Sequence, residues 1–140
     1  MSGLYLIVRM AGETVALPAA DVESVVEIDA VVPVPGAARH IIGLSALRSR
    51  VVTVVDCAAS LGREPSEART RRDAVVAVVE GHPYALLVDG VDDVAASGGA
   101  AQELAAQAAP GWRRAARGQI EIGQNMLLLA DIASLVAGPA

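Results

Sequence analysis

Residues 12–25 read GETVALPAADVESV and residues 81–94 read GHPYALLVDGVDDV, so one pattern occurs twice in a chain of 140 residues. In both copies an apolar run precedes the glycine, LYLIVRM before the first and AVVAVVE before the second. Because glycine accepts the positive φ of a short hairpin turn, each copy predicts a strand, a tight turn and a second strand. The five identical positions are Gly12/Gly81, Ala16/Ala85, Leu17/Leu86, Val22/Val91 and Val25/Val94.

A second pair of matching segments follows in the same order. VVTVVD at residues 51–56 corresponds to MLLLAD at residues 126–131, and an Ala-rich helical patch follows each segment. An acid at the end of a buried strand suits the free N–H groups of a helix start, so Asp56 and Asp131 are predicted to be caps. Two matches in one order indicate an internal duplication.

The duplication divides the chain into two lobes within a single domain of residues 1–140. The first lobe is expected at 4–61 and the second at 73–136, with the polar segment GREPSEARTRRD as a loop between them. In the second lobe, ELAAQAA (103–109) is expected to form one or two helical turns that end at Pro110.

Each lobe offers about five short strands rich in valine, whose β-branched side chain suits a pleated sheet. Five strands are too few for a stable open sheet with two edges, whereas curling into a small barrel removes the edges. The predicted fold is all-β with short helices, built as two packed five-stranded barrels. Trp112 is expected to pack against one of them because its large apolar area is costly to expose.

Composition excludes several classes of function. The net charge is −5, all eleven basic residues are arginine, and no basic stripe with interleaved aromatic residues points to nucleic acid. Cys57 is the single cysteine, which suits a reducing compartment, and it is expected to be a small packed residue. The N-terminus lacks the pattern of a secretory signal, and no apolar run approaches the ~20 residues of a membrane-spanning helix. A cytoplasmic location without membrane insertion is predicted.

A search for chemistry yields no active site. His40 and His82 have no Cys or acid at metal-ligand spacing, so both are expected to be exposed loop histidines, with no metal and no cofactor. Ser45 lacks the second glycine of a nucleophile elbow. The acids at strand ends leave one catalytic alternative open, a small hydrolase that uses Asp56 or Asp89, although turn and cap positions explain these acids more simply.

The segment VALPAADVESVVEIDAVVPVPGAARHIIGLSALRSRVVTVVD at 15–56 resembles the first barrel of the CheW-type coupling proteins of bacterial chemotaxis. ALLVDGVDDV and MLLLADIASLV resemble the family's second barrel, so the resemblance spans about residues 4–136. The family's N-L-R-G turn has lost its Asn and Gly to Ala46 and Ser49, and Thr53 stands where the family favours Pro. The positions that match in order are Leu17, Pro18, Val22, Val25, Pro33, Pro35, Ile41, Gly43, Leu47, Arg48 and Asp56.

The resemblance implies two SH3-like barrels and a non-enzymatic adaptor without a cofactor. Such an adaptor bridges the cytoplasmic tip of chemoreceptors and the regulatory domain of the histidine kinase CheA, and it can assemble into rings. An adaptor of another kinase-controlled system, such as twitching motility or gene regulation, stays open as an alternative.

Residues of two regions are predicted to contact partners. The apolar VVPVP segment at 31–35 suits an edge or a groove wall because proline cannot donate ladder hydrogen bonds, although its valines could instead close the first barrel. Arg48 is the favoured polar contact, with Arg50 as an alternative, and Gly43 is expected to permit a close backbone approach. The predicted partner-binding residues are Val32, Val34, Gly43, Leu47, Arg48 and Asp56 and, by resemblance in the second half, Val88, Asp89 and Val91.

Overall fold

A computed structural model describes residues 3–64, 72–105 and 108–139. The described chain is mainly strand, with one short 3-10 helix at Ala19–Asp21 and three short α-helices, α1 (Cys57–Ser60), α2 (Pro110–Ala115) and α3 (Ile132–Ala137). The strands are β1 (Gly3–Met10), β2 (Glu13–Pro18), β3 (Ser24–Ile28), β4 (Ile41–Leu47), β5 (Arg50–Asp56), β6 (Arg72–Val79), β7 (His82–Val88), β8 (Gly90–Ser97), β9 (Ala116–Ile122) and β10 (Asn125–Ala130).

The strands form two five-stranded curled sheets, and each sheet takes strands from both halves of the chain. Sheet I has the order β8-β1-β2-β10-β9, and sheet II has the order β3-β6-β7-β5-β4. The expectation that residues 4–61 and 73–136 each form one barrel is therefore wrong. The N-terminal hairpin β1–β2 joins the strands of the second half, because β2 pairs with β10 rather than with β5.

The internal duplication is confirmed by strand register. In sheet I, Val15 of β2 lies opposite Leu128 of β10 in a parallel pair. In sheet II, Tyr84 of β7 lies opposite Thr53 of β5, also in a parallel pair. Tyr84 is the repeat counterpart of Val15, and Thr53 is the counterpart of Leu128, so the two sheets are related by a pseudo-twofold axis.

Within the described residues the core has three parts, one between the two sheets and one inside each curled sheet. The central strands therefore face apolar surroundings on both sides. On β1, Leu6 and Val8 pack between the two sheets, whereas Ile7 packs inside sheet I. On β6, Val75 packs between the sheets, whereas Val76 packs inside sheet II. Continuous apolar runs such as AVVAVV are thus buried on both faces, like the strands of a layered sheet. Trp112 packs in the cluster between the sheets, as expected, and it is 2% exposed.

Of the local predictions from the sequence, the two tight hairpin turns are confirmed, whereas the helix at 103–109 is not. Ala11-Gly12 and Glu80-Gly81 both have positive φ at both residues, as the predicted tight hairpin turns require. The helix expected at 103–109 is not formed in its described residues. Pro110 begins α2 instead of ending a helix, since its fixed φ suits the first helical position. Most of the loop expected at 62–73 lies outside the described residues, and β6 begins at Arg72.

Candidate partner-binding surfaces

Gly43 makes the close backbone approach that its residue type suggests, but the approaching backbone belongs to this chain. It lies at a bulge of β4 with φ 157°, and a Cβ atom there would collide with the carbonyl oxygen of Val32. Val32 and Leu44 exchange two backbone hydrogen bonds of 2.8 and 2.9 Å across this point. Gly43 is buried, so its prediction as a partner contact is wrong, and its role is to seat the VVPVP segment on the edge of β4.

Four apolar side chains cover the outer face of sheet II beside this edge. Ala46 lies opposite Val51 in the β4–β5 pair, and Leu44 lies next to Val32. Val32 is 68% exposed and Val51 is 54% exposed. We call this surface, formed by Val32, Leu44, Ala46 and Val51, the β4–β5 face. Of its residues, only Val32 was predicted as a partner contact; the others were missed because the sequences of β4 and β5 do not indicate which face of each strand is buried.

The turn at the end of this face presents Arg48. Its φ is +54°, a left-handed conformation that is unusual for a residue other than glycine, and its side chain is exposed. Arg48 makes no side-chain hydrogen bond or ion pair to any described residue, whereas Arg50 is paired with Glu23. Leu47 is half-buried and packs against the interior of sheet II. Arg48 is therefore the more available of the two arginines, and Leu47 is chiefly a packing residue.

The rest of the VVPVP segment is divided between the interior and the solvent. Val31 is half-buried against the interior of sheet II, which agrees with the alternative that these valines help to close the barrel. Val34 is 39% exposed and lies two residues beyond the bridge to β4. The segment thus both closes the barrel and contributes exposed apolar surface.

Two predicted contacts are buried and cannot meet a partner at the surface. Asp56 is 2% exposed, and its carboxylate accepts a hydrogen bond of 3.2 Å from the backbone N–H of Ala59, so it caps α1. Val88 is 1% exposed and packs between the two sheets. Sequence alone could not place them, because a strand-end acid and a strand valine look the same whether they face the core or the solvent. The burial of Asp56 also removes it as an exposed catalytic carboxylate.

The other second-half predictions lie near the surface. The Asp89 carboxylate is 3.6 Å from the buried guanidinium of Arg72, and its side chain is 38% exposed. Val91 is half-buried against the cluster between the sheets. The counterpart cap Asp131 makes no side-chain bond to a helix N–H; its carboxylate instead accepts a bond of 2.8 Å from the Ser134 hydroxyl and lies 3.5 Å from Arg117.

A second apolar surface lies on sheet I and was missed by sequence reasoning. Leu4 is 59% exposed and lies opposite Ala96, while Val94 on the same strand is 53% exposed. Leu4 and Ala96 line an open groove of about 670 Å³ whose other walls are uncharged. We call this surface the β1–β8 face; its residues are Leu4, Pro18, Ala19, Ala20, Val94 and Ala96.

The histidines and the cysteine behave differently from one another. His82 is exposed, as expected, and lies 2.9 Å from the Thr53 hydroxyl. The expectation of an exposed His40 is wrong, since it is 5% exposed and its Nε2 donates a hydrogen bond of 2.8 Å to the carbonyl of Val136.

Cys57 is packed at 1% exposure, as expected. Burial, and to a smaller extent the negative charge of Asp56, raises the pKa of its thiol. The thiol is therefore unreactive in the folded protein.

No group of three or more His, Cys, Asp or Glu residues with the geometry of a metal site occurs within residues 3–64, 72–105 and 108–139. In the same ranges, no helix has the length and apolar character needed to cross a membrane.

Exposed apolar faces on two separate barrels are typical of a small module that binds other proteins. The chain belongs to the CheW-like domain family, whose model matches residues 4–139. This family is a class of non-catalytic adaptors, so the chain is an adaptor of chemotaxis signalling and not an enzyme.

Individual relatives agree with this assignment. The chain is 31% identical over 104 residues to "Chemotaxis protein CheW" of Rhizobium meliloti, covering 74% of this chain and 67% of that protein. It is 29% identical over 102 residues to "Probable chemotaxis protein CheW" of Rhizobium etli, covering 72% and 66% respectively. The chain thus matches about two thirds of the length of these relatives.

The fold is also that of a solved structure in the same family. The scaffolding protein TtCheW from Thermoanaerobacter tengcongensis superposes with a TM-score of 0.80 over 94% of this chain and 90% of that chain. Sequence identity is 19%, so this likeness concerns the fold, and it confirms the predicted arrangement of two packed barrels.

Proposed function

We propose that the chain couples the cytoplasmic tip of a chemoreceptor to the regulatory domain of a CheA-type histidine kinase, in the cytoplasm, through two separate apolar faces. The observation that carries this proposal is the presence of exposed apolar side chains on both sheets, Val51 on sheet II and Leu4 on sheet I. An adaptor needs two surfaces that can be occupied at the same time, and these two surfaces belong to different sheets.

The β4–β5 face is assigned to the kinase. It has an apolar centre, and at its rim lies Arg48, which has no ion pair with any of the described residues; an apolar centre with a polar rim is the usual anatomy of a protein interface. The planar guanidinium of Arg48 can bind a partner carboxylate through two parallel hydrogen bonds and so fix the orientation of the partner. The resemblance implies that the regulatory domain of the CheA-type kinase has the same double-barrel form. Contacts between barrel ends would then be head-to-tail, and a rotation that closes would give rings.

The β1–β8 face is assigned to the receptor. Its groove is lined by Ala19, Ala20 and Ala96, whose small side chains allow the backbone of a partner to approach closely. Leu4 stands at its edge as an apolar anchor. An uncharged groove of small residues fits an amphipathic helix whose apolar side faces the protein.

The experiment is a matrix of two variants against two partners. Val51→Glu places a charge in the β4–β5 face and should weaken capture of the kinase regulatory domain at least about tenfold, or ~1.4 kcal/mol, while receptor binding is kept. Leu4→Glu should weaken receptor binding by a similar factor, while capture of the kinase regulatory domain is kept. Val34→Glu is expected to weaken kinase capture by at least ~1 kcal/mol. Titration calorimetry with each purified partner measures all of these affinities.

The control variants put the same charge on exposed apolar positions outside both faces. Met126 is 42% exposed and Val78 is 47% exposed, so Met126→Glu and Val78→Glu should leave both affinities unchanged. If Val51→Glu and Leu4→Glu weaken the same partner, or neither partner, the assignment of the two faces is wrong.

A further inference from the structure

The end of helix α3 is held by side chains from three other segments. The last carbonyl groups of a helix lack the full set of partners found in its interior. In α3 the Ser134 carbonyl accepts a hydrogen bond of 3.1 Å from the backbone N–H of Gly138, and side chains bind it and the next two carbonyls. Ser60 donates a hydrogen bond of 2.6 Å to the carbonyl of Leu135, and His40 donates one of 2.8 Å to that of Val136. Arg114 donates to the carbonyl of Ser134. All three carbonyls are thus bound by side chains.

Two of these three side chains connect α1 to α3: Ser60 lies on α1 and binds the Leu135 carbonyl of α3, and Arg114 of α2 binds both helices. Besides the Ser134 carbonyl on α3, its guanidinium donates to the carbonyl of Ser60 at 2.5 Å and to the Ser60 hydroxyl at 3.2 Å, both on α1. Helix α1 follows β5 of sheet II, and helix α3 follows β10 of sheet I. One rigid guanidinium therefore ties the helix at the end of one sheet to the helix at the end of the other.

Among the described residues, the arginine bridge between the two helices has no counterpart at the position related by the pseudo-symmetry. The repeat counterpart of Arg114 is Arg39, whose side chain is 58% exposed and whose guanidinium lies 3.5 Å from the carboxylate of Glu64. Arg39 makes no hydrogen bond to either helix among the described residues. The Ser60 hydroxyl and the Arg114 guanidinium together join the helices that follow the two sheets. Arg114 is the charged member of this pair, and hydrogen bonds from a charged donor are stronger than those from a neutral one, so its bonds restrain the angle between the sheets more strongly.

We propose that Arg114 is a positioning residue that fixes the angle between the two sheets and so the relative placement of the β4–β5 and β1–β8 faces. This inference rests on the proposed function, since the angle matters only if both faces are occupied together. Each face lies on one sheet, so loss of the bridge leaves both faces intact. It changes where one bound partner lies with respect to the other.

The geometric test measures the distance between spin labels on the two sheets in the full chain. Gln124→Cys labels the β9–β10 turn of sheet I, and Glu80→Cys labels the β6–β7 turn of sheet II, while the buried Cys57 at 1% exposure stays unlabelled. Arg114→Ala should broaden or shift the distance distribution. Arg39→Ala, the matched control, should not change it, and Arg114→Lys should restore it in part. An Arg114→Ala distribution equal to the wild-type one would overturn the inference.

The functional test compares binary and ternary binding, with the kinase regulatory domain and a receptor cytoplasmic fragment as probes. Arg114→Ala should keep each binary affinity but weaken binding of the kinase to the receptor-loaded protein about fivefold. A loss of fold alone would lower the binary affinities as well, which would contradict a positioning role. If Arg114→Ala does not fold, Arg114→Gln, which keeps one donor, serves in its place. Wild-type protein that binds neither probe would instead refute the proposed function.

Discussion

The hairpins β4–β5 and β9–β10 occupy equivalent places in the two sheets, yet their outer faces differ in character. In sheet II the face carries Leu44, Ala46 and Val51 and is open to solvent. The counterparts in sheet I are Gln119, Glu121 and Met126, so the same surface is largely polar. Duplication supplied the same backbone twice, and substitution at outward positions left only one copy suited to a protein partner.

The segments that lead into the two hairpins also differ, and again the copy in sheet I leaves less open surface. The segment between β8 and β9 is longer than the one between β3 and β4 and contains α2. Ala105, Ala108 and Trp112 from this segment line one cleft with Gln119 and Leu128, so part of the sheet I face is covered. Sheet II has no counterpart of α2 in its described residues, and its face stays open.

The largest expected effect concerns Trp112, the anchor of the covering segment. Its side chain is 2% exposed between the sheets, and Trp112→Ala should lower the free energy of unfolding by about 3–5 kcal/mol through loss of packing. Trp112→Phe should cost much less, because the indole Nε1 has no hydrogen-bond partner among the described residues. Urea unfolding measures both changes. Equal losses for the two variants would show that the indole nitrogen, and not the packed ring, stabilises the fold.

The next effect compares the two bulge glycines, Gly43 and Gly118. A Cβ atom would collide with the carbonyl oxygen of Val32 in the first case and of Gln102 in the second. Both sites have the same two-bond bridge to the edge strand, so Gly43→Ala and Gly118→Ala should each cost about 3 kcal/mol. Urea unfolding of each variant gives the comparison. A large loss at one site and none at the other would contradict the structural equivalence of the two edges.

The smallest effect concerns the turns at the ends of the two hairpins. The left-handed position is Arg48 in one turn and Gly123 in the other, with φ of 54° and 62°. Arg48→Gly should stabilise the fold by about 1 kcal/mol, since glycine adopts this conformation without the steric cost, but it should weaken kinase capture. Gly123→Ala should destabilise by a similar amount without any effect on capture. Urea unfolding and calorimetry test this pairing, and a less stable Arg48→Gly protein would contradict it.

The sequence repeat predicted the strands and turns, but it did not predict that the β1–β2 hairpin pairs with strands of the second half of the chain. Local similarity identifies which segments are alike, so the hairpin turns at Gly12 and Gly81 and the cap at Asp56 could be derived from residue types. The partner of β2 could not, because the pairing of Val15 with Leu128 joins residues at opposite ends of the chain. The repeat permits either arrangement, and only packing of both faces of the central strands selects between them.

The candidate site was predictable to a smaller extent. Arg48, Val32 and Val34 could be named from their place in a turn and an apolar edge, and the structure leaves them exposed. Val88 could not be distinguished from an exposed valine, because strands buried on both faces lack the alternation that marks an inside and an outside. The β1–β8 face was missed for the same reason, since Leu4 belongs to the same apolar run as the core residues Leu6, Ile7 and Val8.

The exchange of hairpins has a consequence for biosynthesis. The β1–β2 hairpin is made before the other described strands, but its neighbours β8 and β10 are among the last of these strands to be made. At ~5–20 residues per second, Leu6, Val8 and Met10 remain without their final partners for roughly 10 seconds. Sheet II has all of its strands once β7 has been made at Val88, whereas sheet I must wait for β10, which ends at Ala130. The β1–β2 hairpin therefore stays exposed to aggregation while sheet II can already form, and the two barrels are completed one after the other.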